Sequence, residues 1–317
     1  MVQEVLFMES VLETKNLTKQ FGGKTAVSHV DMEVHRGDIY GFIGKNGAGK
    51  TTLIRMAVGL AAPTSGSIRL MGSSHLEKQR HKIGTVIEYP AVFPHMTARE
   101  NMEAQCRLLG VKNPDQEISR ILETVGLADT GKKKARNFSL GMKQRLAIAL
   151  ALVGKPEFLC LDEPTNGLDP AGIVEVRDLI HRLNREENIT VLISSHILGE
   201  LSKLATRYGI IHHGRMLEQF TAEELEERCR SGLEIQVDNR EAAVKILRDR
   251  FYLTDIRLLA DGGLLLPQTV EAPGKINRAL VQSGLLVNSL HVRQGDLEQY
   301  FMQVTTQAEA VFGQENN

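Results

Sequence analysis

An α/β domain built on a largely parallel sheet, followed by a smaller α+β domain, is the architecture this sequence predicts, and three observations predict it. Short apolar runs at residues 39–43, 158–162 and 190–194 end at glycine or polar clusters, as strands buried on both faces of a sheet do. Apolar residues at helical spacing follow, at Leu53, Ile54, Met56, Ala57 and Leu60 and again at Ile173, Val176, Ile180 and Leu183. Beyond residue 231 the pattern becomes short strands and helices in the order βαββαβ.

The 317 residues include 38 Lys+Arg and 39 Asp+Glu, a formal net charge of −1, with 42% hydrophobic residues. At roughly 100 to 200 residues per domain this length holds two domains. Each is large enough to bury a core without metal or disulfide staples. Cys106, Cys160 and Cys229 contain no CxxC pair, which argues against a disulfide framework or zinc site and fits a reducing compartment. The balanced charge gives no electrostatic footprint for wholesale nucleic-acid binding. No run approaches 18 apolar residues, so no membrane span is expected. Glu4 and Glu9 flank the apolar run 5–8, where a secretory signal would carry a basic head; translation could start at Met1 or Met8.

Charge divides the chain near Gln219: residues 1–216 sum to +5 and residues 217–317 to −6. The acidic run 221–230, with Thr221 and Glu224 at capping-box spacing, predicts a linker helix. The expected organisation is therefore a first domain over 1–216, with a helical subdomain at about 97–152 that Thr97 and Glu100 would cap. A linker over 217–231 and an accessory domain over 232–317 follow it.

In the first domain, Gly44, Lys45, Asn46, Gly47, Ala48, Gly49, Lys50 and Thr51 match G-x-x-x-x-G-K-[ST] at every fixed position, between a strand and a helix that Thr52 continues. Glycines let consecutive N–H groups curl around a phosphate, and the helix N-terminus adds partial positive charge. A chance match in a chain this long occurs on the order of one per cent of the time, so a nucleotide phosphate site is the reading. Lys50 would reach the β- and γ-phosphates and the Thr51 hydroxyl would ligate Mg²⁺. The strand at 158–162 ends in Asp162 and Glu163, placed to hold Mg²⁺ and to polarise a water. The next strand ends at Ser195 and His196, so three strand ends present phosphate-type ligands where open α/β sheets bind them.

Taken in order, GKNGAGKT (44–51), NFSLGMKQR (137–145), LCLDEPTNGLDP (159–170) and ISSH (193–196) resemble the ATP-binding subunit of an ABC transporter over about residues 11–216. Within that family the chain is similar to the ATPases of bacitracin-type and lantibiotic-immunity drug exporters. The resemblance implies a P-loop ABC ATPase fold, with a mixed sheet and a helical subdomain. It implies ATP and Mg²⁺ as ligands, and Phe21 as an aromatic stacked on adenine. Ser139 and Gly141 fall on the signature loop that clamps the nucleotide held by a second copy, and residues 166–169 carry that contact across a homodimer. Glu163 is implied as the base and His196 as a γ-phosphate or water contact. The segment 89–107, with Val92, Phe93 and Met96, lines the groove that takes a helix of an integral membrane permease. The protein would then lie in the cytoplasm, on the inner face of the membrane.

Two departures from the family pattern stand out. The signature reads Phe138-Ser139-Leu140-Gly141-Met142 where the family has LSGGQ, and residues 83–90 place Glu88 where a glutamine is usual. A carboxylate binds a hard cation better than an amide does, so Glu88 is expected to join Thr51 and Asp162 at Mg²⁺ and to help couple hydrolysis to the permease. A soluble ABC ATPase acting on ribosomes or DNA is the alternative reading, against which stand a single phosphate loop and the lack of sustained heptads. The accessory domain reads as ferredoxin-like, without a catalytic constellation, and is expected to regulate or to support dimerisation.

Overall fold

The computed structural model describes residues 9–228, 232–259, 262–266, 273–293 and 297–315. Both candidate start positions, Cys229 and the end of the expected linker helix lie outside them.

Ser10–Phe21 (β1) and Lys24–His35 (β2) form an antiparallel hairpin, with burial alternating only along the second half of β2. Neither strand is legible from residue order, because bulges at several positions interrupt the period of two. Ile39–Ile43 (β3) is buried at every residue and leads through the glycine loop into helix Lys50–Val58 (α1). Ser65–Leu70 (β4) pairs with β1 and completes a three-stranded antiparallel sheet. A short helix, Leu76–Arg80 (α2), and strand Ile83–Val86 (β5) follow.

Ala98–Leu108 (α3), Pro114–Thr124 (α4) and Leu140–Leu152 (α5) form the helical subdomain. The expected cap of α3 is present in full: Glu100 N donates to Thr97 Oγ1 at 3.2 Å, and Thr97 N donates to Glu100 Oε2 at 2.6 Å. Phe158–Asp162 (β6), Pro170–Glu187 (α6), Thr190–Ser195 (β7), Leu198–Leu201 (α7), Arg207–His212 (β8) and Arg215–Thr221 (β9) complete this part of the chain. The second sheet runs β5-β6-β7-β3-β8-β9, parallel except for β9. Helix α1 lies between the two sheets: Leu53, Ile54, Met56 and Ala57 share one core with Leu12, Leu17 and Val30 of the antiparallel layer and Phe42, Phe158 and Leu192 of the parallel one. Each fully buried side chain of this size contributes about 1.5–3 kcal/mol. The glycine loop is thereby held on a rigid base.

The chain divides into two compact units after Thr221. Thr221 is the last residue of β9, and the next helix, Ala222–Arg228 (α8), starts one residue later. The second unit continues with Gly232–Val237 (β10), Arg240–Phe251 (α9), Arg257–Leu258 (β11), Leu264–Leu266 (β12), Pro273–Gln282 (α10), Val287–Arg293 (β13) and Leu297–Glu315 (α11). Its sheet order is β11-β12-β10-β13, antiparallel throughout. Leu233, Ile235, Leu247, Leu264, Ile276 and Leu280 form a core of their own. Val281, beside Leu280 in α10, is 54% exposed, because it falls one residue past the apolar stripe of Ile276 and Leu280. No helix among the described residues is long and apolar enough to cross a membrane.

Candidate active site

The loop between β3 and α1 needs its glycines for space and for backbone angle. A Cβ on Gly44 would lie 2.6 Å from the Ile211 carbonyl oxygen, and one on Gly49 would lie 2.7 Å from that of Ala26. Gly49 has φ +112° and Gly47 φ +80°, in the left-handed region that glycine tolerates. Lys45, Asn46 and Gly47 are exposed at the loop's crest, Ala48 and Gly49 are buried behind it, and Thr51 and Thr52 are half-buried in the first turn of α1. That turn has no acidic residue and no side-chain cap, so its N–H groups are available to an anion.

Lys50 is only 5% exposed. Its Nζ donates to Gly44 O at 2.6 Å and lies 3.1 Å from Glu163 Oε1. The Thr51 hydroxyl donates to Asp162 Oδ2 at 2.7 Å, and the Ser194 hydroxyl donates to Asp162 Oδ1 at 2.5 Å. Register explains the second bond: β6 and β7 are neighbours, with Asp162 opposite Ser194. Glu163 N donates to Ser194 Oγ at 3.0 Å. Glu163 adopts φ +51°, a conformation that non-glycine residues hold only where their surroundings impose it. Its other carboxylate oxygen, Oε2, is 2.7 Å from His196 Nδ1. Although Lys50 is close to Oε1, the contact is an ion pair without hydrogen-bond geometry, so that enclosed oxygen keeps its acceptor capacity. Five residues singled out from sequence, Lys50, Thr51, Asp162, Glu163 and His196, therefore meet in one cluster at the carboxyl ends of β3, β6 and β7. Ser194, which ties the two carboxylate residues together, was not among them; its position opposite Asp162 depends on strand register, which no local motif reports.

Glu88 stands in a different relation. It follows β5 with φ +64°, and its Oε1 accepts from Arg55 Nη2 at 2.7 Å. Both side chains are more than 40% exposed, and a pair of this kind contributes about 0–1 kcal/mol. The carboxylate expected at Mg²⁺ is thus held by a cation one turn along α1, a contact that no motif predicts.

Phe21 ends β1 at the tip of its hairpin with β2, is 56% exposed, and carries the Lys19 ammonium 4.9 Å from its ring centroid. The approach of Ala26 to Gly49 brings this hairpin to the glycine loop. Ser139 is the N-cap of α5 and accepts from Met142 N at 3.2 Å. Gly141, buried in the first turn, lies against Gly172, where a Cβ would fall 3.7 Å from the Gly172 Cα. Leu140, the residue that replaces a signature glycine, is 44% exposed and packs towards Gly167, where a Cβ would meet its Cδ2 at 3.3 Å. Leu140 and Gly141 thus lie against the loop before α6 and its first turn, and no contact described joins Ser139 or Gly141 to the Lys50 cluster.

Residues 27–166 match the ABC transporter family. The bacitracin transport ATP-binding protein BcrA of Bacillus licheniformis is 42% identical over 300 residues, which cover 94% of this chain and 98% of that one. The chain belongs to the ATP-binding proteins of ABC transporters. Like them, it binds ATP and hydrolyses it. The lantibiotic transport ATP-binding protein SrtF of Streptococcus pyogenes is 42% identical over 220 residues, 68% of this chain and 95% of that one. Among solved structures, a dimeric ATP-binding cassette in a post-hydrolysis state with ADP and Pi is similar with a TM-score of 0.58 and 25% identity, covering 67% of this chain and 98% of that one. These likenesses are to transport ATPases and do not favour the alternative of an ATPase acting on ribosomes or DNA.

Proposed function

We propose that this ABC ATPase is the motor of an exporter of antibiotic peptides or other amphiphilic compounds, working as a homodimer bound to separate integral membrane permease subunits. The carrying observation is the Lys50–Glu163–His196 and Thr51–Asp162–Ser194 cluster at the glycine loop, together with bacitracin and lantibiotic transport ATPases as relatives. The cytoplasmic face of the membrane is the place that such a partner implies.

In this reading the N–H groups of residues 45–51 and the Lys50 ammonium hold the β- and γ-phosphates, with the exposed ring of Phe21 under the adenine. An alcohol oxygen and a carboxylate 2.7 Å apart, Thr51 and Asp162, are hard donors that suit Mg²⁺. Bound there, the metal would offset charge on the phosphate oxygens. Glu163 accepts a proton from the attacking water through its free acceptor capacity, and His196 holds the carboxylate in place and contacts the γ-phosphate. Release of Glu88 from Arg55 would let it reach the metal or its water and report occupancy to the permease. Ser139 and Gly141 of one copy would close on the nucleotide of the other, a role that the dimeric relative supports.

We assign the ATPase domain to the chain up to about Thr221. The second unit we read as a ferredoxin-like accessory domain, supported by its βαββαβ order and 2-3-1-4 sheet. The 300-residue match to the bacitracin relative is longer than the first unit and so extends into the second. A regulatory or dimer-supporting role fits that shared arrangement.

Purification of the Glu163→Gln protein with ATP from gently solubilised native membranes tests the reading. A stoichiometric integral membrane partner is expected, and ribosomes or DNA without one would overturn it. Glu88→Gln is expected to lower permease-coupled more than basal turnover; full activity of Glu163→Gln beside a dead Glu88→Gln protein would reverse the two roles.

A further inference from the structure

Strand β7 is apolar at Val191, Leu192 and Ile193 and buried along its whole length, yet it ends in two serines. A hydroxyl enclosed in this way must find partners, because one without them is less favourable than an apolar side chain. Ser195 spends its hydroxyl locally, accepting from Ile197 N at 2.9 Å. Ser194, fully buried, reaches across to the neighbouring strand β6 instead.

A hydroxyl has a single proton to give. That of Ser194 goes to Asp162 Oδ1, which leaves its lone pairs to the Glu163 N–H, 3.0 Å away. The same N–H also approaches the Ser194 carbonyl oxygen, at 3.2 Å. The following residue cannot stand in for it, because Pro164 has no N–H. Glu163 holds φ +51° directly before that proline, where the backbone is restricted from both sides. Lys50 and His196 hold its far end, at the carboxylate, and Ser194 holds its near end, at the backbone. Since Thr51 donates to the other oxygen of Asp162, hydrogen bonds run unbroken from the first turn of α1 through Asp162 and Ser194 to the Glu163 backbone.

We propose that Ser194 is a positioning residue for ATP hydrolysis, whose hydroxyl ties the place of Glu163 to that of Asp162 and so keeps the base aligned with the phosphate loop. The proposal rests on the reading of Glu163 as the base and adds to it what sets that base in place. Ser194 acts through Glu163 and does not itself meet the reacting atoms.

Ser194→Ala in the full chain tests this, since it removes the hydroxyl and leaves the backbone bond from Glu163 N to the residue 194 carbonyl. Displacing a catalytic group by about 1 Å lowers a rate by up to about 10²-fold, so turnover is expected to fall by about 10- to 10²-fold, with equilibrium ATP binding kept within about twofold. A double-mutant cycle with Glu163→Gln decides how the loss arises. If Ser194 works through Glu163, adding Ser194→Ala to Glu163→Gln is expected to change the residual single-turnover rate by less than about twofold. Two losses that multiply in full would mean that Ser194 works through another group, Asp162 included, and would overturn the proposal. Unchanged turnover in Ser194→Ala would overturn it too, as would ATP affinity that falls in step with turnover, the mark of a purely structural role. Each of these results leaves Glu163 standing as the base, whereas full turnover in Glu163→Gln alone would overturn both readings.

Discussion

Glu163 is held from both sides, by Lys50 at 3.1 Å on one carboxylate oxygen and His196 at 2.7 Å on the other. Replacing it with glutamine keeps the shape and removes the basicity. Turnover in Glu163→Gln is expected to fall by about 10² to 10⁴, with ATP binding retained, as rapid-quench turnover and equilibrium binding would measure. Loss of binding in parallel with turnover would instead place Glu163 in the phosphate cradle. Gly49→Ala has no such selectivity: at φ +112° and 2.7 Å from a backbone oxygen, the added methyl is expected to abolish ATP binding. At this scale the sequence is legible where a motif is contiguous. The glycine loop and the Asp162-Glu163 pair follow from residue order, since each needs only a strand before it. Ser194 and Arg55 do not, because their partners Asp162 and Glu88 are 32 and 33 residues away and become neighbours only through strand register and the placement of α1.

Caps decide where the helices that aim the loops begin. Asp169 accepts from Gly172 N at 3.2 Å at the start of α6, and Asn239 from Ala242 N at 3.1 Å at the start of α9. Asp169→Ala and Asn239→Ala are each expected to cost about 1 kcal/mol, read as a lower midpoint in urea; an unchanged midpoint would mean that packing alone fixes the helix start. In the α3 cap, the Thr97 backbone N–H, aided by Lys134, holds the Glu100 carboxyl below its ordinary value of 4.5. A lowered folded value stabilises above 4.5 and the effect is lost as pH falls through it. The difference in denaturation midpoint between wild type and Glu100→Ala should therefore be constant at neutral pH and shrink below pH 4.5. The α3 cap is readable because a capping box is local, and so are β3, β6 and β7, whose residues are apolar on both faces. The hairpin of β1 and β2 escapes notice for the opposite reason, since Thr18, Lys19 and Gln20 fall among bulges that break the alternation.

At the scale of the whole chain, two cores made of different residues lie in the two units, one around α1 and one around β10. The charge shift near Gln219 makes this division legible in sequence, since surface composition changes where one core ends, and the break after Thr221 is two residues from it. The order of the strands in either sheet is not readable in this way, because pairing partners are set by connections through the core. Separate cores carry a thermodynamic consequence. A ligand stabilises the unit that binds it by mass action, by about 2.7 kcal/mol at a concentration 100 times its dissociation constant. With all the phosphate-loop residues in the first unit, ATP and Mg²⁺ added to the Glu163→Gln protein should raise the midpoint of one calorimetric transition and leave a second where it was. A single transition that moves as a whole would mean that the accessory unit senses the nucleotide state, and would assign it to the hydrolytic cycle itself. A chain ending at Thr221 would then distinguish the cases, since it should keep basal ATP turnover if the units unfold separately and lose it if they unfold as one.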